Sequence, residues 1–268
     1  MPDRGPVTVA GVDALTTDDG PIFAVIGVFD GLHLGHQYLL RHLVYEAERR
    51  GARPAVITFD AHPDEVILGE APPLLLDPAD RLRLLGEAGV TVVVVQHFDA
   101  ALRATDYDAF LGRITARVTL AGLLMTPDAA FGHDRRGTPE TVGAVASRQG
   151  WDLVVVPPFE IGSRSVRSSD IRAAIADGNL AEAERLLGRP YAVVGTAEAA
   201  ADAGDRSVVR LAPPRALPSD GIWQAAVRAW PADDSTPAAA TADVVVSEGT
   251  IRLDGPPPAA SVEVTFAT

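Results

Sequence analysis

The sequence predicts an α/β fold in which a mainly parallel sheet is followed by a small antiparallel β domain. Over residues 1–188, short apolar runs alternate with helical segments, as in right-handed βαβ crossovers. Over residues 189–268, short alternating runs are separated by turns rich in Pro, Gly, Asp and Ala, which is typical of a small barrel or sandwich. We therefore place the domain boundary after residue 188.

The elements of the first domain follow from apolar runs and helical spacing. Strands are predicted at Phe23–Val28, Pro54–Phe59, Thr91–Gln96, Ala121–Met125 and Leu153–Pro157. Helices are predicted at His36–Arg50, Pro78–Ala88, Asp106–Val118, Pro139–Gln149, Ser169–Ala176 and Leu180–Leu187. The continuous apolar character of Val92–Val95 and Val154–Val156 fits strands that are covered on both faces.

The second domain is predicted to consist of short strands that are separated by turns. The strands are expected at Tyr191–Ala197, Ser207–Leu211, Ile222–Ala229, Asp243–Ser247, Thr250–Leu253 and Ser261–Phe266. Ala232–Thr241 is expected to be a loop, because it is rich in small and polar residues.

Composition excludes several classes of function. The formal net charge of −13 argues against a nucleic-acid or anionic-membrane partner, because binding a polyanion requires a broad basic face. No apolar run is long enough to span a bilayer, and the N-terminus lacks a signal-peptide pattern. The absence of Cys fits a cytoplasmic protein and excludes thiol catalysis. All 23 basic residues are Arg, which excludes Schiff-base chemistry and a P-loop lysine.

The most informative motif follows the first predicted strand and reads Gly27-Val-Phe-Asp-Gly-Leu-His-Leu-Gly-His-Gln37. Gly31 and Gly35 have no Cβ, so a phosphate can approach the backbone closely. The first N–H groups of the helix that starts at about His36 favour an anion, and the ring N–H groups of His33 and His36 can reach phosphate oxygens. We interpret this turn as a nucleotide-phosphate site; an ordinary capped turn is the alternative.

Two further motifs end predicted strands, where ligands bind in parallel sheets. Thr58–Pro63 is expected to form one wall of the cleft, or else a simple turn that Pro63 ends. Asp128 with Phe131 can hold and cover a planar ring, although a surface turn with one buried Phe also explains them. His97 and His133 are interpreted as solvated loop residues.

A fourth motif, Arg167–Arg172, opens a helix. Ser168 or Ser169 is a suitable N-cap and Asp170 suits the first turn. Capping does not account for the two arginines, so we predict a second anion-binding helix terminus here.

In this order, the motifs resemble those of the bifunctional bacterial FAD synthetases, which join an FMN adenylyltransferase module to a riboflavin kinase module. Residues 27–37 match the first motif of that family essentially throughout. Thr58–Pro63 resembles Thr-Phe-x-Pro-His-Pro, Asp128–Gly132 resembles Asp-Phe-x-Phe-Gly, and Val166–Arg172 resembles Ile-Ser-Ser-Thr-x-x-Arg. Leu187–Tyr191 resembles the junction between the modules.

The resemblance implies a Rossmann-like nucleotidyltransferase domain, a reduced β-barrel domain and a set of site residues. It gives catalytic roles to His33, His36, Asp128 and Arg172. It gives nucleotide-binding roles to Gly27, Phe29, Asp30, Gly31, Gly35, Ser168 and Ser169. It puts Asp60, His62, Pro63 and Phe131 on the acceptor side. Mg²⁺ is expected to enter with ATP, with no metal ligands from the chain.

Several positions depart from the family pattern. Ala61 and Ala129 replace residues of the wall that would receive the flavin ring, Thr126 and Pro127 stand where Gly is usual, and Arg167 replaces a Ser. The Pro-Thr-Ala-Asn motif of the kinase module is absent, so the barrel is predicted to lack kinase activity.

The sequence therefore favours an FMN adenylyltransferase without riboflavin kinase activity. It leaves two alternatives: a nucleotidyltransferase that acts on another phosphorylated small molecule, and a non-catalytic nucleotide or flavin sensor. The choice between ATP and CTP also stays open, as does assembly into a homo-oligomer.

Overall fold

Alternating strands and helices build two units in the computed structural model, which describes residues 5–162, 164–200, 206–230, 238–255 and 261–268. The first unit comprises the chain up to Pro72 together with Pro78–Ser165. The second comprises Pro73–Asp77 and the chain from Val166 onward.

A six-stranded parallel sheet forms the centre of the first unit. Its strands are β1 (Val7–Ala10), β2 (Ile22–Ile26), β3 (Arg53–Phe59), β4 (Val92–Gln96), β5 (Leu120–Met125) and β6 (Asp152–Val155). Their order is β1-β4-β3-β2-β5-β6. A two-stranded antiparallel hairpin, β7 (Glu160–Ile161) with β8 (Arg164–Ser165), follows the sheet. The predicted parallel sheet is confirmed, and β1 is an additional edge strand whose four residues are too few for a clear sequence pattern.

Among the described residues of this unit, six helices accompany the sheet. They are α1 (Leu34–Arg49), α2 (Pro63–Leu68), α3 (Pro78–Glu87), α4 (Ala100–Arg103), α5 (Tyr107–Thr115) and α6 (Pro139–Gln149). Three short 3₁₀ turns lie at Val12–Ala14, Thr17–Asp19 and His133–Arg135. The predicted start of the first helix at His36 is wrong by two residues, because His33 occupies the N-cap and the helix begins at Leu34.

The central strands are buried on both faces. Residues Ile22–Val25 of β2, Ala55–Thr58 of β3 and Val92–Val94 of β4 are all shielded from solvent. The prediction of a strand covered on both sides is confirmed for Val92–Val95 and wrong for Val154–Val156, because β6 is an edge strand on which Val155 is 45% exposed. The apolar side chains of the central strands supply the hydrophobic core that fixes the sheet.

The strand order of this sheet contains a switch point. From β2 the chain proceeds outward through β3 to β4, then returns to the other side of β2 to form β5 and β6. The order therefore reverses between β2 and β5. In open α/β sheets, ligands bind outside the carboxyl ends of the strands at such a switch point. Residues 27–33 and Thr126–Asp128 follow these two strands directly.

The described residues of the second unit form two helices and a closed antiparallel barrel, which confirms the predicted β domain. The helices are α7 (Ser168–Ala176) and α8 (Leu180–Leu187). The strands are β9 (Ala192–Ala199), β10 (Arg206–Arg210), β11 (Gly221–Trp230), β12 (Ala238–Ser247), β13 (Thr250–Asp254) and β14 (Ser261–Phe266), in the order β10-β13-β12-β11-β14-β9.

Two boundaries of the second unit differ from the sequence interpretation. The predicted loop Ala232–Thr241 is wrong at its end: residues 238–241 belong to β12 and pair with Ala226–Ala229 of β11. Residues 232–237 of that loop lie outside the described ranges. The helices α7 and α8 belong to the same unit as the barrel, so the compact units divide before Val166. The boundary between functional domains after residue 188 stays a prediction.

Within the described ranges, no helix is both long enough and apolar enough to cross a membrane.

Candidate active site

The turn after β2 has an unusual backbone. Phe29 has φ 54°, Gly31 has φ 81° and Leu32 has φ 41°. Positive φ is uncommon outside glycine and persists where the surrounding structure imposes it. Since two of the three residues carry bulky side chains, their neighbours must hold this turn.

Side chains from β3 and α3 provide that support. The Val28 carbonyl accepts hydrogen bonds from Thr58 Oγ1 at 3.0 Å and from Arg81 Nη1 at 3.2 Å. Arg81 Nη2 also donates to the Phe59 carbonyl at 2.8 Å. Arg81 is only 7% exposed. One buried guanidinium therefore joins the turn after β2 to the end of β3.

Arg81 was not identified from the sequence. The available signal is its position on α3, where it lies four residues before the buried Leu85 and so shares its face. An arginine on an apolar helix face requires hydrogen-bond acceptors in the interior, because an unpaired buried charge is costly.

Gly27 and Phe29, both predicted to bind nucleotide, pack against each other. A Cβ on Gly27 would lie 3.1 Å from Phe29 Cε2, and Phe29 is 2% exposed. The Phe29 ring also contacts the His36 ring, with centroids 5.0 Å apart. Phe29 is thus the buried support of the His36 ring, and Gly27 leaves the space that the Phe29 ring occupies. The predicted Asp30 is also buried.

His33 and His36 form a stacked pair at the start of α1. Their ring centroids are 3.7 Å apart with an interplanar angle of 19°. His33 Nδ1 accepts a hydrogen bond from the His36 backbone N–H at 3.3 Å, so neutral His33 carries its ring proton on Nε2. His33 is buried and His36 is half-buried.

The N-terminus of α1 also offers backbone donors. The N–H groups of Leu34 and Gly35, at the first two helical positions, find no acceptor within the described ranges. Such N–H groups, at the positive end of a 16-residue helix, favour an anion. The structure thus combines two backbone donors and two histidines in one turn.

Burial, with a smaller contribution from the nearby His33, holds the pKa of His36 well below the ordinary 6.5. His36 Nδ1 is itself buried and has no hydrogen-bond partner in the part of the chain that is described. A cationic ring is disfavoured there, so His36 is neutral at neutral pH.

We expect the ring signals of His36 in an NMR titration to keep their neutral positions as the pH falls through 6.5. Because the folded-state pKa is depressed, the stability contributed by neutral His36 is present above its unfolded pKa and is lost as the pH falls. A titration midpoint at or above 6.5 would contradict the burial of the ring nitrogen Nδ1.

The loop after β3 is organised by Asp60. Its Oδ2 lies 2.6 Å from Nδ1 of His97, and its Oδ1 accepts N–H bonds from Ala61 at 2.8 Å and Phe98 at 3.1 Å. His97 follows β4, which neighbours β3 in the sheet. The interpretation of His97 as a solvated loop residue is therefore incomplete: its side chain is 70% exposed, yet it pairs with Asp60.

His62 and Pro63 continue the same loop into α2. The Nδ1 of His62 accepts from the Asp64 N–H at 3.2 Å, and Pro63 is the first helical residue. Asp60 and His62 therefore shape this loop from within, and whether they also bind an acceptor stays a prediction.

The Asp60–His97 pair predicts a pH dependence. The hydrogen bond to Asp60 raises the pKa of His97 above 6.5. Partial burial raises the pKa of Asp60, but the hydrogen bonds from His97 and from the Phe98 N–H outweigh burial, so the pKa of Asp60 lies below 3.8.

The two shifts make the stability of the fold depend on pH in opposite directions. The stability that the charged His97 contributes is lost as the pH rises through its folded-state pKa, and the stability that the charged Asp60 contributes is lost as the pH falls through its folded-state pKa. In Asp60→Asn, we expect the NMR-measured pKa of His97 to fall toward 6.5; an unchanged value would contradict the pairing.

Asp128 and Phe131 occupy the other side of the switch point. Asp128 is exposed, and Thr126 Oγ1 donates to its Oδ1 at 2.8 Å. Phe131 packs edge-on against Phe110, with centroids 6.3 Å apart. Beside Phe131, a cavity of about 70 Å³ lies at the carboxyl ends of β2 and β5. It is smaller than ordinary ligand pockets, which measure about 300–1,000 Å³.

The fourth motif lies in the second unit. Arg167, in extended conformation, is the N-cap of α7, so the predicted N-cap at Ser168 or Ser169 is wrong. These serines are the first two helical residues, because the first helical hydrogen bonds run to the Arg167 carbonyl. Arg172 Nε donates to the Pro73 carbonyl at 2.8 Å.

In the described part of the chain, no three His, Asp or Glu side chains gather as a metal-binding group.

A family model described as FAD synthetase matches residues 15–170. The bifunctional riboflavin kinase/FMN adenylyltransferase of Haemophilus influenzae is 34% identical over 172 residues, which cover 63% of this chain and 56% of that protein. The protein of the same name from Escherichia coli is 33% identical, with coverages of 63% and 55%. The match thus spans about half the length of these relatives.

A solved structure resembles nearly the whole chain. The crystal structure of a macrolide-efflux protein from Streptococcus pneumoniae matches with a TM-score of 0.78 and 22% identity, covering 97% of this chain and 89% of that one. At this identity the likeness shows the fold alone.

Proposed function

This chain belongs to the FAD synthetase family, and we propose that it transfers AMP from ATP to the phosphate of FMN, without riboflavin kinase activity. The products are FAD and pyrophosphate. The observation that carries the proposal is the turn after β2, where stacked histidines and two backbone N–H groups lie at the switch point of the sheet.

The proposed reaction requires no protein nucleophile. A phosphate oxygen of FMN attacks the α-phosphorus of ATP, and the bond from that phosphorus to the oxygen that bridges the β-phosphorus breaks. Pyrophosphate leaves. The chain contributes alignment, which is worth roughly 7–11 kcal/mol, and donors directed at the developing negative charge. Mg²⁺, which we take to arrive with ATP, supplies charge neutralisation on the phosphates.

The donors in the turn after β2 have distinct tasks in this proposal. The N–H groups of Leu34 and Gly35 bind phosphate oxygens, and Gly31, which is buried, adopts the positive φ that the turn requires. His36, kept neutral by burial, donates a hydrogen bond. His33 orients the pair by capping the helix, and its Nε2 proton is the donor it offers.

The remaining roles come from the family motifs. Ser168, Ser169 and Arg172 bind the triphosphate, and Asp128 lies near the reacting phosphates. The loop that contains Asp60, His62 and Pro63 forms the acceptor side, together with Phe131.

A second candidate acceptor is another phosphorylated small molecule. Ala61 and Ala129 remove two side chains from the wall expected to receive the flavin ring. This change concerns the ring of the acceptor and leaves the phosphate-binding turn unchanged.

The test is to incubate the purified protein with Mg²⁺, each nucleoside triphosphate, and either FMN, riboflavin or no acceptor, and to separate the flavins by chromatography. We expect FAD and pyrophosphate in equal amounts from FMN with ATP, and no FMN from riboflavin. FMN formed from riboflavin would refute the loss of kinase activity. Nucleotide binding without FAD would favour the second candidate acceptor.

A further inference from the structure

The segment Pro73–Asp77, here called the strap, belongs to the second unit although the residues on both sides of it belong to the first. It is only five residues long and contains no helix or strand of its own. Specific contacts within the second unit therefore hold it in place.

The strap is bound along its length by the loop 213–216 that follows β10. Leu74 N–H donates to the Pro214 carbonyl at 3.0 Å, and Ala216 N–H donates to the Leu74 carbonyl at 2.9 Å. Arg215 forms an ion pair with Asp77 and also donates to the Pro213 carbonyl. The Arg215 side chain is 1% exposed and the Asp77 side chain is 24% exposed, so the guanidinium is buried and the carboxylate is partly open to solvent.

The loop is in turn anchored to the barrel by Tyr191, which directly precedes β9. The Tyr191 hydroxyl donates to the Ala216 carbonyl at 2.6 Å. Its ring is 2% exposed and stacks on Phe266 of β14, with centroids 6.2 Å apart. A continuous set of hydrogen bonds thus leads from the barrel core to the strap.

The strap contacts Arg172 at its first residue. Arg172 Nε donates to the Pro73 carbonyl at 2.8 Å. A guanidinium is planar and rigid, so a bond at Nε restrains the directions in which its two terminal nitrogens point. The Pro73 carbonyl therefore contributes to how Arg172 presents its charge.

We propose that Arg215 is a positioning residue for Arg172 and acts through the strap. The inference rests on the proposed function, in which Arg172 binds the triphosphate of ATP. It assigns a task to a barrel without the kinase motif: the barrel holds the strap, and the strap orients an arginine of α7.

The first test reads the orientation of Arg172 without any substrate. In ¹⁵N NMR spectra, the Nε–H of Arg172 is assigned by its loss in Arg172→Lys, and its exchange with solvent is measured. We expect Arg215→Met to accelerate exchange by roughly tenfold. Tyr191→Phe, which removes one hydroxyl and preserves the ring, is expected to act in the same direction. Unchanged exchange in both variants would overturn the proposal.

The matched control is Arg210→Met. Arg210 lies on β10 of the same barrel and pairs with Glu198 at 2.5 Å, but its side chain is 65% exposed. Its removal should leave the Nε–H exchange of Arg172 unchanged. An effect as large as that of Arg215→Met would show a general loosening of the barrel and would overturn the specific role of Arg215.

The second test measures ATP affinity by calorimetry in wild type, Arg215→Met, Arg172→Ala and the double variant. We expect Arg215→Met to weaken binding roughly tenfold alone and to have no further effect once Arg172 is absent. Additive losses would overturn the proposal. Failure of the wild type to bind ATP would refute the proposed function, and the exchange measurement would still decide whether Arg215 positions Arg172.

Discussion

Replacing His36 by alanine is expected to lower the turnover of FAD synthesis by a hundredfold or more, which corresponds to about 3–4 kcal/mol of lost transition-state stabilisation for one donor. His36 is kept neutral by burial, so its contribution is a directed hydrogen bond and not a positive charge. Its ring is fixed between His33 and Phe29, which removes the need to reorient during the reaction. The measurement is kcat with saturating ATP and FMN.

The control for this prediction is His42→Ala. His42 lies on the same helix, and its ring contacts Tyr38 with centroids 4.6 Å apart. We expect near-wild-type turnover from this variant, with both variants folded by circular dichroism. Equal losses in the two variants would mean that the helix as a whole, and not His36, is required.

Replacing Arg81 by methionine is expected to reduce the free energy of unfolding by about 3 kcal/mol, since each hydrogen bond from a charged donor contributes about 1.5–3 kcal/mol. The variant loses two such bonds, to the carbonyls of Val28 and Phe59. The positive-φ turn then loses part of the support that imposes its conformation, so turnover should fall as well. Urea denaturation measures the first effect and kcat the second.

Arg83→Met provides the matched control, two residues along the same helix. Arg83 is exposed and pairs with Asp80 and Glu87. Exposed pairs of this kind contribute about 0–1 kcal/mol, so the control should remain close to wild type. Arg81→Lys should recover only part of the loss, because an ammonium group cannot span two carbonyls as a guanidinium does. Equal stability of the methionine variants at positions 81 and 83 would contradict the role of Arg81.

Local chemistry in the sequence was sufficient to predict much of the fold. Helix α6 begins and ends where Thr138, Pro139 and Gly150 indicate: Thr138 is the N-cap, Pro139 is the first helical residue and Gly150 adopts the left-handed C-cap. The parallel sheet followed from apolar runs that alternate with helices. These signals lie within a few residues of the structure that they specify.

The supports of the site could not be predicted, because they join residues that are distant in sequence. Arg81 contacts a carbonyl 53 residues away, and His97 contacts a carboxylate 37 residues away. Their partners become neighbours only through the strand order. The cap of α1 was missed for a different reason: histidine is not among the residues preferred at the N-cap, yet His33 takes that position.

The central claim is that this chain transfers the AMP part of ATP to a phosphate on FMN. The most direct test uses ATP labelled with ³²P at the α-phosphorus, FMN and Mg²⁺, and compares the wild type with His36→Ala and His42→Ala. We predict that label appears in FAD with the wild type and with His42→Ala, and is reduced a hundredfold or more with His36→Ala. Label that remains in ATP with the wild type, or that reaches FAD equally in all three proteins, would contradict the account.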